Sequence, residues 1–103
     1  MMKFNLEFSQ LESVFQEAKE IDANYVAVVV EMEGFNQPEI IINHKDNIDQ
    51  KLDYYRKTYD NNCIHKHAPG IKIIAVMYGN NLQKFEFAYL AIVDPFELRG
   101  VKE

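Results

Sequence analysis

Residues 25–30 read Tyr-Val-Ala-Val-Val-Val, and no other stretch constrains the fold as tightly. Branched Cβ atoms suit the pleated sheet better than the helix. The run, continued to Met32 and closed at Gly34, is therefore a strand. Alternate side chains of a strand point to opposite faces, so Val26, Val28 and Val30 share one face while Tyr25, Ala27 and Val29 share the other. Both faces are apolar, and each must be shielded from water.

The flanking segments supply the candidate cover. Phe4, Leu6 and Phe8 alternate with Lys3, Asn5 and Glu7, which predicts a short first strand. Ser9 stands three residues before Glu12 in capping-box spacing, and Leu11, Val14, Phe15, Ala18 and Ile21 share one helical face, predicting a helix to about Asp22. Pro38 can begin a strand but not sit inside a central ladder, so residues 39–43 are read as the hairpin partner of the valine-rich strand. Asp46 is placed to cap a second helix, whose stripe Ile48, Leu52, Tyr55, Tyr59 and Cys63 carries it to about Asp60. Asn-Asn, three basic side chains and Pro-Gly mark 61–70 as a loop. Two more strands, 71–78 and 84–93, are then predicted around Gly79-Asn80-Asn81, with Asp94-Pro95 as the stop and Phe96 and Leu98 in a short tail.

The expected class is α+β, a two-layer sandwich of order β-α-β-β-α-β-β. Its first six elements match the ferredoxin-like, or split βαβ, arrangement, with an extra C-terminal strand. The alternative is αββ repeated twice over a four-stranded antiparallel sheet. A repeat would explain why Met32-Glu33-Gly34-Phe35-Asn36 and Met77-Tyr78-Gly79-Asn80-Asn81 both carry M-x-G-x-N after an apolar run. The simpler explanation is that two hairpins share turn residues. Residues 1–95 are read as one domain and 96–103 as the tail, since 103 residues suffice for a single core.

Sixteen acidic against eleven basic residues give a net charge of -5, which disfavours nonspecific binding to nucleic-acid phosphates. The lone cysteine, Cys63, excludes an internal disulfide and suits a reducing compartment, so a cytoplasmic location is expected. Neither a leader nor a membrane-spanning run is read from the sequence.

Chemistry-bearing sets are few. Cys63, His65 and His67 alternate and His44 closes a strand, so a zinc site can be written down. Lys66 beside the cation and the isolation of His44 oppose it. Cys63 with His44 as base would be a nucleophilic pair, but no oxyanion site accompanies them. No catalytic residue, metal or cofactor is expected, and the chain is not read as an enzyme. Asp46, Asp49, Asp53 and Asp60 fall within about 60° on a helical wheel, an acidic face able to mimic nucleic-acid phosphates. Arg56 before Asp60 and Lys57 after Asp53 are placed to neutralise part of it. Phe85, Phe87 and Tyr89 alternate like the stacking rings of an RNA-recognition sheet, although residues 39–43 lack the aromatics that such a sheet needs.

Two helices can cover only one face of the sheet. Tyr25, Ala27, Val29, Ile41, Ala88 and Leu90 are therefore expected to form an open apolar face, the kind of patch that marks a partner surface. The leading expectation is a non-catalytic interaction module binding a protein partner or a second copy, with no membrane and no nucleic acid. A small acidic inhibitor acting through the second helix is the alternative, and a metal- or Cys/His-dependent enzyme comes third.

Residues 39–43, the run Lys51-Leu52-Asp53-Tyr54-Tyr55-Arg56-Lys57-Thr58-Tyr59-Asp60 and Gly70-Ile71-Lys72-Ile73-Ile74 together resemble small uncharacterised proteins encoded by phages and prophages of Gram-positive bacteria. The resemblance covers about a third of the chain. It carries no activity and no functional residue; it implies an accessory or host-directed binding role.

Overall fold

A computed structural model describes residues 6–93. In chain order these form α1 (Phe8–Glu20), β1 (Tyr25–Met32), β2 (Glu39–His44), a 3-10 turn (Lys45–Asn47), α2 (Ile48–Thr58), β3 (Ile71–Gly79) and α3 (Leu82–Val93). The class is α+β, with three helices around a three-stranded antiparallel sheet of order β2-β1-β3.

The valine-rich strand is the centre of that sheet. β2 pairs along one edge of β1 from Tyr25↔His44 to Val30↔Glu39. β3 pairs along the other from Tyr25↔Gly79 to Met32↔Ile71, with a shift of register between Val29 and Val30 that leaves Ile74 as the extra residue. This order differs from the split βαβ arrangement, which would keep the strands at 25–32 and 71–78 apart. Of the predicted first strand, residues 3–5 lie outside the described residues, Leu6 and Glu7 are not in a strand, and Phe8 opens α1.

α1 begins one residue before the expected cap. Glu7 occupies the cap, and its N–H donates to Gln10 Oε1 at 2.8 Å; Ser9 lies inside the helix. Its far end is closed by a Schellman pair, Ala23 N–H to Ala18 O at 2.9 Å and Asp22 N–H to Lys19 O at 3.2 Å. Asp22 takes the left-handed conformation this needs, φ 58°. Asp46 falls in the 3-10 turn rather than capping α2, and α2 stops at Thr58.

α1 and α2 cover one face of the sheet. Phe8, Leu11, Phe15 and Ala18 from α1 and Ile48, Leu52 and Tyr55 from α2 form one buried cluster with Val26, Val28, Val30 and Ile73. Phe15 meets Tyr55 edge-on at 6.0 Å. Asn43 is buried in this layer, its amide donating to Val26 O at 3.2 Å and to Tyr55 Oη at 3.4 Å.

The major correction is the last element. Residues 84–93, expected as a strand, lie in a helix. Asn81 Oδ1 accepts the N–H of Gln83 at 2.8 Å, the bond of a helix N-cap. The second M-x-G-x-N is thus a strand-to-helix junction and only the first is a hairpin turn, with Gly34 at φ 90°. The two segments share turn residues without sharing a fold, so αββ occurs once and is followed by α2-β3-α3.

Candidate interaction surface

α3 lies on the second face of the sheet, the face expected to be open. Phe85 is 2% exposed and packs edge-on against Tyr25, with ring centroids 6.3 Å apart. Its ring also reaches Gly79, where an added Cβ would meet it at 3.6 Å. One turn on, Tyr89 Oη donates to Pro38 O, just before β2. The helix therefore crosses from the end of β3 toward the start of β2. Asn24 N–H, bonded to Asn80 Oδ1 at 2.8 Å, secures the near end.

The six residues expected to form a surface are consequently dispersed. Ala27 and Val29 are fully buried, and Tyr25 is half-buried between Phe85 and His44. Ile41 pairs with Val28 and packs against the α1–α2 core, so it lies on the opposite face. The outward positions of β2 are Ile40 and Ile42, opposite Val29 and Ala27. Ala88 is half-buried and Leu90 exposed, both on α3.

What replaces that surface is the far side of α3. Phe85, Ala88, Tyr89 and Ile92 recur at helical spacing on the side that meets the sheet. Phe87 at 63%, Leu82 at 49% and Leu90 at 38% exposure stand in water, with Ile42 of β2, 41% exposed, on the same side of the sheet. Phe87 and Leu90 are three residues apart and so adjacent on the helix surface. Other exposed apolar residues are scattered: Ile21 precedes β1, Phe35 is at the hairpin tip and Tyr54 is on α2. Single residues of that kind are ordinary.

The other candidate sets come apart. Cys63 is fully buried in the core cluster. Burial pushes its thiol from 9.0 up to about 11, with Asp60 adding to the shift and Lys72 opposing it, the reverse of what a nucleophilic thiolate needs. His65 Nδ1 accepts the N–H of His67 at 3.1 Å, and His65 sits near the start of β3. His44 is at the other end of the sheet, its Nδ1 accepting the Asp46 N–H at 3.2 Å. Among the described residues, no three His, Cys, Asp or Glu side chains gather as a metal-ligating set.

The acidic face is also divided. Asp49 is ion-paired with Lys19 at 2.7 Å and Asp53 with Lys57 at 3.1 Å. Asp60 lies beyond α2, and its Oδ1 accepts the N–H groups of Asn62 and Ile64 at 2.8 and 3.0 Å. Arg56, expected to face Asp60, instead contacts Glu12 at 2.8 Å and Asp53 at 3.7 Å. Phe85, Phe87 and Tyr89 do not form a stacking row, because in a helix Phe87 points away from the other two.

No family model, curated protein or solved structure matches this chain. No helix among the described residues is long and apolar enough to cross a membrane.

Cys63 yields a prediction of its own. Burial also raises the Tyr59 phenol, to about 12. Both are acids that the folded protein keeps protonated while the unfolded chain releases the proton. The unfolded state then binds fewer protons, so stability is complete below about pH 9 and falls as pH rises through the folded thiol value of about 11. The urea midpoint should therefore drop between about pH 8 and about pH 10.5. Thiol reagents near neutral pH should label the native protein only as fast as it opens. A flat midpoint with rapid labelling would contradict this placement of Cys63.

Proposed function

We propose that the chain is a non-catalytic protein-interaction module that binds through the outward side of α3 and the adjoining edge of the sheet. The observation that carries this reading is that α3 is apolar on both sides, when packing on the sheet requires only one. Phe85 serves the core, whereas Phe87 and Leu90 add apolar surface without contributing to it. Aromatic side chains, phenylalanine among them, are enriched at the cores of protein interfaces relative to the rest of the surface. The resemblance to small phage and prophage proteins adds an accessory, host-directed role, and the single free thiol suits the cytoplasm.

The acidic-inhibitor reading has less support, because Asp49 and Asp53 are paired and Asp60 is used in a turn. The test is Phe87→Glu. It should fold as the native protein does and lose its partners in a pull-down from the native host, whereas an unchanged set of bound proteins would exclude α3 as the binding surface.

A further inference from the structure

We propose that the sheet edge of this surface takes a second copy of this chain, joined edge to edge through antiparallel β2 strands into a continuous six-stranded sheet. This rests on reading the molecule as an interaction module and names what binds at the β2 edge, leaving the outward side of α3 to a different protein. The two edges of the sheet are unlike. On the β3 edge, His65 N–H donates to Ile71 O and Ile73 N–H to Cys63 O, both at 2.9 Å, and Ile64 bridges Lys72. Among the described residues no strand or bridge occupies the outer edge of β2.

Edge strands are ordinarily protected from further pairing by an interior proline, an inward lysine or a bulge. β2, Glu39-Ile40-Ile41-Ile42-Asn43-His44, has none of these, and its register with β1 is unbroken. It presents a row of main-chain donors and acceptors that another strand would satisfy.

Charge selects an antiparallel copy. β2 begins at Glu39 and ends at His44, followed by Lys45. Parallel pairing in register would set Glu39 beside Glu39. Antiparallel pairing about a two-fold axis normal to the sheet sets Glu39 of each copy near the His44–Lys45 end of the other, and symmetry makes that contact twice. Lys45 retains reach for it, being held only loosely by Asp22 at 3.4 Å. Directly opposed residues of antiparallel strands share a face, so Ile40 and Ile42 of both copies meet on the α3 side and extend the apolar surface there.

The experiment is light scattering of the full chain over a concentration series into the high-micromolar range. The native protein should reach twice 12.1 kDa, and β2 amide exchange should slow as concentration rises. Ile42→Lys places two ammonium groups near the axis and should hold the mass at that of one chain, with helix content retained. Glu39→Lys, at an exposed position, should weaken the dimer about tenfold and covers the case in which Ile42→Lys does not fold. A native protein that stays monomeric overturns the proposal, as does a dimer indifferent to both substitutions. Should Phe87→Glu alone abolish association, or should Phe87 bind a different protein to a monomer, the edge-to-edge dimer fails and the interaction module stands. Association unaffected by all three substitutions, with the bound proteins of Phe87→Glu also unchanged, removes both.

Discussion

Phe85→Ala is expected to cost about 3–5 kcal/mol and to open the second face of the sheet. Phe85 is the buried aromatic anchor of α3, wedged against Tyr25 and over Gly79. Without its ring, the helix retains the Tyr89 bond to Pro38 and the cap at Asn81, both near the surface. Ala27, Val29 and Ile74, buried in the native protein, would then meet water as α3 detaches. Loss of helical signal should precede loss of the sheet in urea, and an environment-sensitive hydrophobic dye should bind before the main transition. A single unshifted transition without dye binding would show that α3 does not cover that face.

The covered face also shows where reading the sequence succeeds and where it does not. β1 was legible because residues 25–30, four of them valine, fit a strand better than a helix, and its doubly apolar pattern required cover on two sides. α1 and α2 were legible because their apolar residues recur at three and four. α3 was not, because it is apolar nearly all round: Phe85, Phe87 and Tyr89 satisfy a period of two, while Phe85, Ala88, Tyr89 and Ile92 satisfy one of 3.6. Two signals separated the readings. Asn81 stands where a helix cap belongs, and a run of ten residues is long for a strand.

That one ambiguity propagated into the site. With 84–93 read as a strand, the second face had no cover and Ala27 and Val29 became its centre. With the segment helical, the cover is present and the exposed apolar side chains move to Phe87 and Leu90. Ile41 lies on the inner face for a separate reason. A one-residue difference in strand register reverses every side chain, and only the observed Val28↔Ile41 pairing assigns Ile41 to the inner face. The acidic face failed at its far end because Asp60 accepts two main-chain N–H groups in a turn, a competing use of the short carboxylate that a helical wheel does not represent.

Phe15→Ala should cost a similar amount, about 3–5 kcal/mol, but fail in a different way. Phe15 is fully buried at the junction of α1 and α2, where its ring meets Tyr55 edge-on at 6.0 Å and 72°, a geometry that contributes about 0.5–1.5 kcal/mol beyond burial. Tyr55 in turn holds the amide of Asn43, so the cavity loosens the contact of both helices with β1 and the side-chain link to β2 together. The whole domain should consequently unfold in one transition at lower urea, with helix and sheet signals coincident, in contrast to the two stages expected of Phe85→Ala. Phe15→Leu, which refills most of the volume, should recover much of the loss. A protein in which Phe15→Ala releases α1 first and leaves the sheet intact would show that the two layers are not one cooperative unit.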